Sequence, residues 1–406
     1  MSSSPTGKAD QRRLGREVAD YFLNDLNVSF VGFAGVGRHG GALILEQKGG
    51  DRPPRKLVVK YSLGALSTDK DSDSDEHLRN EYRWLQMLQG AEHIVQLVPF
   101  ADCSMNLPGI SNGESTFEKS KENEAIREEA QAKQGETSAN GDKITKEPSR
   151  GRRCPTFALE YLPNGTLYQL AIKIYEAGVR IPNRLLWMMW LCMVRQCVAM
   201  AFPPNIPAES YGGQKIRERI RPNQQYFPLT QNSPHMDNYV FGTEPGPYPD
   251  SDHDPSVPVL KLIDFGRGEV EDVNIFTNQI PDIYEGGSRM NLSNATDAMM
   301  NICLPHISSD LLEQDNPSVY RYVENKEVKR VTTTAPKVFR EDDTIDVRLR
   351  DRLVRLQARR FGDIPSLNET LEEAEMQVKS MKPDGDSKPS DSDDDIKSFV
   401  QRFFYD

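Results

Sequence analysis

The chain has 406 residues, a formal net charge of −11 and 37% hydrophobic residues, with a sequence pI near 5.3 and a mean hydropathy of −0.62. That length is enough for one large domain or two coupled lobes, while the low apolar content leaves room for unfolded tail or insertion. An acidic balance without a basic stripe excludes a nucleic-acid surface as the main business of the chain, because phosphate contacts need clustered Lys and Arg.

Five cysteines, Cys103, Cys154, Cys192, Cys197 and Cys303, are odd in number and form no Cys-x-x-Cys. They argue against a disulfide framework or a zinc site and fit a reducing compartment. Met1-Ser2-Ser3-Ser4-Pro5 lacks the apolar core of a signal peptide, so the expected location is intracellular, cytoplasmic or nuclear. The one long apolar stretch, Leu185 to Phe202, is interrupted by Arg195 and Gln196 and reads as a buried core helix rather than a membrane span.

Residues 1–12 are polar and expected to be mobile, after which Leu14, Val18, Phe22 and Leu26 recur at helical spacing and predict an amphipathic helix packed on the first lobe. Next, Gly35-x-Gly37-x-x-Gly40 lies between two strand-like segments. It would let backbone amides approach a polyphosphate, although a flexible hairpin has the same composition. Leu57-Val58-Val59-Lys60-Tyr61 reads as a strand with a lysine near its end. Leu78, Tyr82, Leu85 and Leu88 mark the apolar face of the following helix, and Glu81 lies on that face. A buried carboxylate needs a cation, for which Lys60 is the candidate; the alternative is a solvated Glu81 at the face's edge. Ile94 to Phe100 predicts a short strand, and residues 104–153 a disordered insertion.

A strand from Thr156 runs through Glu160-Tyr161-Leu162 into a turn and a helix, as a connector between lobes would. Residues 203–228, rich in Pro, Asn and Gln, predict a second irregular and disordered insertion. The apolar run Val257 to Ile263 predicts a buried strand ending at Asp264-Phe265-Gly266, which puts a carboxylate where it can hold a hard cation, although an ordinary strand end looks the same. Downstream, Leu292, Ala295, Met299, Ile302 and Cys303 mark a helix over 290–304. Closing helices are expected over 345–378, then an acidic linker. Ile396, Phe399, Val400, Phe403 and Phe404 form a last amphipathic helix, expected to dock on the chain's own large lobe ahead of a partner's groove.

In chain order the glycine loop, Lys60, Glu81, Glu160-Tyr161-Leu162, Asn238 and Asp264-Phe265-Gly266 match the protein-kinase signature set. From about residue 28 to 378 the chain resembles a divergent, fungal-type protein-kinase-like domain. The resemblance implies an α+β bilobal fold, with a small β-rich N-lobe (28–162) and a larger α-helical C-lobe (163–378). An N-terminal extension (1–27) and an acidic linker with its helix (379–406) would flank it. It implies ATP and Mg2+ as cofactors. Gly35, Gly37 and Gly40 would cover the phosphates, Lys60 held by Glu81 would touch the first two, and Asn238 and Asp264 would hold magnesium. The backbone of Glu160 and Leu162 would meet the adenine, and Leu85 and Phe265 resemble two members of the apolar spine joining the lobes.

The catalytic loop departs from this pattern. The family has His-Arg-Asp, four residues, then Asn; with Asn238 anchored by the strand-like Tyr239-Val240-Phe241, the base position falls on Ser233. A hydroxyl stays protonated at neutral pH and cannot accept a proton as a carboxylate does. The competing register takes His235-Met236-Asp237 as the motif, makes Asp237 the base and leaves Gly242 in place of the metal asparagine. No Ala-Pro-Glu follows Asp264 at the family's distance, and Asn291 stands near the usual position of a loop-supporting aspartate. The expected function is a nucleotide-binding pseudokinase or weakly active kinase acting in regulation, with a protein partner or protein substrate. The alternatives are an active Ser/Thr kinase with an atypical catalytic loop and a small-molecule phosphotransferase of related fold.

Overall fold

The computed structural model describes residues 5–25, 28–37, 40–48, 54–62, 74–98, 156–206, 215–233, 235–243, 256–270, 286–305, 317–381 and 392–405. The predicted insertion at 104–153 lies outside them, as do Leu26, Phe100, Cys103 and Cys154. The architecture is mixed α+β with a small antiparallel sheet. It divides into two compact units, Met1–Leu78 with Pro99–Ala158, and Arg79–Val98 with Leu159–Asp406.

Strands β1 (Val28–Val36), β2 (Gly40–Gln47), β3 (Arg55–Ser62) and β4 (Thr156–Glu160) form one sheet in that order. Alternation along β2 and β3 turns Leu43, Leu45, Leu57, Val59 and Tyr61 into the core. The helix Pro5–Asp25 lays Leu14, Val18 and Phe22 on β1 and β2. It begins at Pro5, so the polar stretch expected to be mobile is largely helical; a proline in the first turn has no amide to lose and a φ already suited to the helix. Gly15 makes the approach possible: a Cβ there would stand 2.5 Å from the Tyr61 hydroxyl and 2.7 Å from the Phe33 ring.

The second unit is built on the helix Asn183–Ala201, buried along its length from Arg184. Among the described residues it is the one helix long and apolar enough to cross a membrane, and its apolar window is entirely inside the protein. Helices Gly286–Cys303 and Leu367–Ser380 pack on it. The two polar residues that broke the apolar run are its fastenings. Arg195 meets Glu375 at 3.0 Å, and Gln196 donates to the Leu260 carbonyl at 2.9 Å, which satisfies groups that would otherwise be buried without partners. Strands β5 (Tyr239–Phe241) and β6 (Leu260–Leu262) pair antiparallel. Strands β7 (Ser318–Glu324) and β8 (Glu327–Thr333) form a hairpin turned by Asn325 and Lys326, both at positive φ.

Two expectations are corrected here. Residues 203–206 and 215–228 are held in place rather than loose: Ile216 donates to Gly90 O at 2.7 Å, Phe227 donates to Ala201 O at 2.8 Å, and Glu218 is 6% exposed. Composition counts apolar residues and misses a segment secured by backbone pairing and one buried acid. The strand predicted from Ile94 appears as isolated bridges, Ile94 to Leu262 and Leu97 to Leu159. At the other end, helix Asp393–Val400 and the turn Gln401–Tyr405 bury Ile396, Phe399, Val400, Phe403 and Phe404. They dock on their own unit, as expected. The Phe404 ring lies edge-on to Phe241 at 4.6 Å, Lys173 donates to Phe403 O at 2.8 Å, and Arg184 pairs with Asp393 at 2.5 Å.

Candidate functional site

Residues 229–233 and 235–238 fold back on the end of β6. After Leu262 the chain turns at Asp264, whose φ of +62° is left-handed, a conformation Asp tolerates better than most residues and one that clusters at functional sites. Three bonds hold this turn to the loop. Ile263 donates to Asn238 O at 2.8 Å, and the Gln231 amide donates to Ile263 O at 3.4 Å and Asp264 O at 2.8 Å. Asp264 itself accepts one long bond, from Gly266 N at 3.4 Å. Ser233 and Asn238 are in direct contact: the buried Asn238 amide nitrogen donates to Ser233 O at 2.8 Å and Ser233 Oγ at 3.0 Å. This bond fixes the flip of Asn238 and turns its carbonyl oxygen the other way. Asp237 is exposed on the same turn and accepts from Thr166 Oγ1 at 3.2 Å.

The loop is braced from behind. Asn291, on the helix Gly286–Cys303, accepts from Gln231 N at 3.2 Å and donates to Leu229 O at 2.8 Å, a pairing that requires a donor and an acceptor on one side chain and that an aspartate could only half supply. Beyond Asp264, Asn80 donates to Gly266 O and Gly268 O at 3.1 and 2.7 Å, and Trp84 to Gly268 O at 2.9 Å. Gly268 has to be glycine, since a Cβ would stand 2.9 Å from the Trp84 ring. Glu81, on the same helix, is 3% exposed, which removes the solvated alternative, and Leu85 and Phe265 are fully buried. Glu160 accepts from Lys261 Nζ at 2.5 Å and from Gln96 N at 3.0 Å. Burial pushes the Lys261 pKa down against the pull of that carboxylate. Leu162 is half-buried, near Gly242, where a Cβ would stand 3.4 Å from its Cδ2.

Gly35, Gly37, Gly40 and Lys60 belong to the first unit. Gly37 N donates to Gly40 O at 2.8 Å and closes the β1–β2 turn. Gly40 is sterically required, its Cβ falling 2.7 Å from Tyr61 O, whereas Gly35 faces open space and Gly37 meets only Gly40 O at 3.8 Å. Lys60 sits on β3 opposite Ala42.

One cluster in the second unit was not foreseen. His93 Nδ1 and its backbone N–H meet the two oxygens of Glu218, both at 2.7 Å. Burial alone would lower the His93 pKa, but Glu218, with a smaller effect from Cys192, raises it to about 9. Glu92 joins them, with ligand atoms within 4.8 Å of one another; Glu218 Oε1 is taken by the His93 backbone N–H and Oε2 by Nδ1, which makes His93 and Glu218 a buried ion pair.

Sequence reasoning missed Gln231 as the loop's clamp, Asn80, Trp84, Lys261 and the His93–Glu218 pair. Each acts through a contact at least 60 residues distant, except Gln231, whose place beside Ser233 was a usable signal. No protein-family model matches the chain, and no curated protein matches it.

Proposed function

We propose that the chain is a protein-kinase-like nucleotide-binding protein that holds ATP with Mg2+ and transfers phosphoryl groups very slowly or not at all, so that its role is regulatory. The carrying observation is the Ser233–Asn238 contact beside Asp264. A neutral hydroxyl stands at the base position, already accepting a hydrogen bond, while the donor set beside it suits a hard cation. Asp264 offers carboxylate oxygens with one weak internal partner, and Asn238 offers an amide oxygen with no hydrogen bond among the described residues. Magnesium bound there would neutralise phosphate charge; the chain's own residues orient its ligands through Gln231 and Ser233.

Losing a general base lowers a rate by about a hundredfold to ten-thousandfold, and positioning and electrostatics carry most of phosphoryl transfer. Slow turnover is therefore compatible with the proposal and ordinary kinase turnover is not. The test is nucleotide binding by thermal shift with and without magnesium. Wild type should be stabilised by millimolar ATP, more so with Mg2+, and Asp264→Asn should lose the magnesium-dependent part. No shift in wild type overturns the reading. A second reading, an active kinase using Asp237, draws on the exposed carboxylate held by Thr166; a turnover near 1 to 100 per second that disappears in Asp237→Asn would establish it.

A further inference from the structure

The segment after the core helix carries Lys215-Ile216-Arg217-Glu218-Arg219-Ile220-Arg221, a run the charge balance conceals and a local exception to the absence of a basic stripe. It is extended, not helical. Glu218 turns inward to His93, Arg219 is exposed, and Arg217 and Arg221 are half-buried. The three arginines line a cleft of about 520 Å3 together with Phe202, Pro204, Ile216 and Glu218.

The charges in that cleft are poorly balanced. Glu375 answers Arg195 at 3.0 Å and Arg217 at 3.8 Å. Burial and the neighbouring Arg195 and Arg219 push the Arg217 pKa down, with Glu375 and Glu92 opposing them. Arg221 donates only to neutral acceptors, Gln224 Oε1 at 3.0 Å and Pro203 O at 3.5 Å. Arg219 is exposed and has no carboxylate within ion-pair distance among the described residues. Two guanidinium groups without acidic partners, on a rigid extended segment of a chain with net charge −11, form a receptor for negative charge, since forked donors recognise carboxylate and phosphate by geometry as well as charge.

We propose that this cleft binds an acidic segment of a partner protein, with carboxylates meeting Arg219 and Arg221 and an apolar side chain on Phe202, Pro204 and Ile216. Charge complementarity carries the choice of occupant: guanidinium groups that meet no acid among the described residues take carboxylates, and the apolar floor has no use for a free inorganic anion. The inference does not rest on the nucleotide reading.

The test uses the full chain and a fluorescein-labelled peptide of sequence Asp-Leu-Asp-Ser-Asp-Leu-Asp, followed by anisotropy. Wild type should bind it with an affinity that falls as salt rises. The double variant R219A/R221A should bind at least about tenfold more weakly, with unchanged Tm and an unchanged response to ATP and Mg2+. Charge reversal in R219E/R221E should abolish that binding and create affinity for the same peptide with Lys in place of Asp. Equal binding by wild type and R219A/R221A overturns the proposal, as does absence of binding at low salt. Full displacement by inorganic phosphate, or tighter binding of a single-stranded oligonucleotide, overturns it in favour of a general anion or nucleic-acid site.

Discussion

Replacing Glu218 by Gln tests the account of the unforeseen ion pair most directly. Glu218 and His93 have side chains 2% and 0% exposed, and each carboxylate oxygen takes one hydrogen bond from His93. Raising an imidazole from 6.5 to about 9, at about 1.4 kcal/mol per tenfold, corresponds to roughly 3 kcal/mol, at the low end of the roughly 3 to 5 kcal/mol for breaking a buried pair. The sign follows from proton binding. A folded-state pKa above the unfolded value makes the contribution complete below about pH 6.5 and lost as pH rises through 9. The Glu218 pKa is lowered against the cost of its burial, mainly by His93, so its contribution is present above the ordinary carboxylate range and fades in acid. Urea unfolding followed by tryptophan fluorescence is a suitable assay, because Trp84, Trp187 and Trp190 are the only tryptophans and all belong to the second unit. Glu218→Gln should lose about 3 kcal/mol at pH 6 and much less at pH 9.5. A loss below about 1 kcal/mol at pH 6, or an equal loss at both pH values, refutes the reasoning.

Phe404→Ala removes the ring packed on Phe241 and should lower the stability of the second unit by about 3 kcal/mol, read as a shift in the same urea midpoint; deletion of residues 396–406 should cost more, and an unchanged midpoint would deny the docking. Asn291→Asp keeps the acceptor for Gln231 N but loses the donor to Leu229 O and buries a charge, so about 1 to 3 kcal/mol should be lost, with Asn291→Ala no better. Ser233→Asp restores a carboxylate at the base position and should raise a trace phosphoryl-transfer rate in a radiolabelled ATP assay; ordinary kinase turnover in the unmodified chain would contradict the assignment of Ser233.

Elements whose signal is local were readable in the chain. The period of Leu14, Val18 and Phe22, the apolar strand ending at Asp264, the core helix from Leu185 and the aromatic face at the C-terminus all came through, because a buried face writes its own spacing into the chain. The β7–β8 hairpin went unread, although Val and Tyr before Asn325-Lys326 and Val and Thr after it flank a turn whose two residues are left-handed. Tertiary structure alone decided which polar groups meet. Glu218 looked like one acid in an irregular stretch until it closed on His93, Arg195 looked like a flaw in an apolar helix until it met Glu375, and Asn291 looked like a lost aspartate until its amide bridged Leu229 and Gln231. A buried polar side chain is explained by its partner, and a partner 60 to 180 residues away leaves no periodic trace in the sequence.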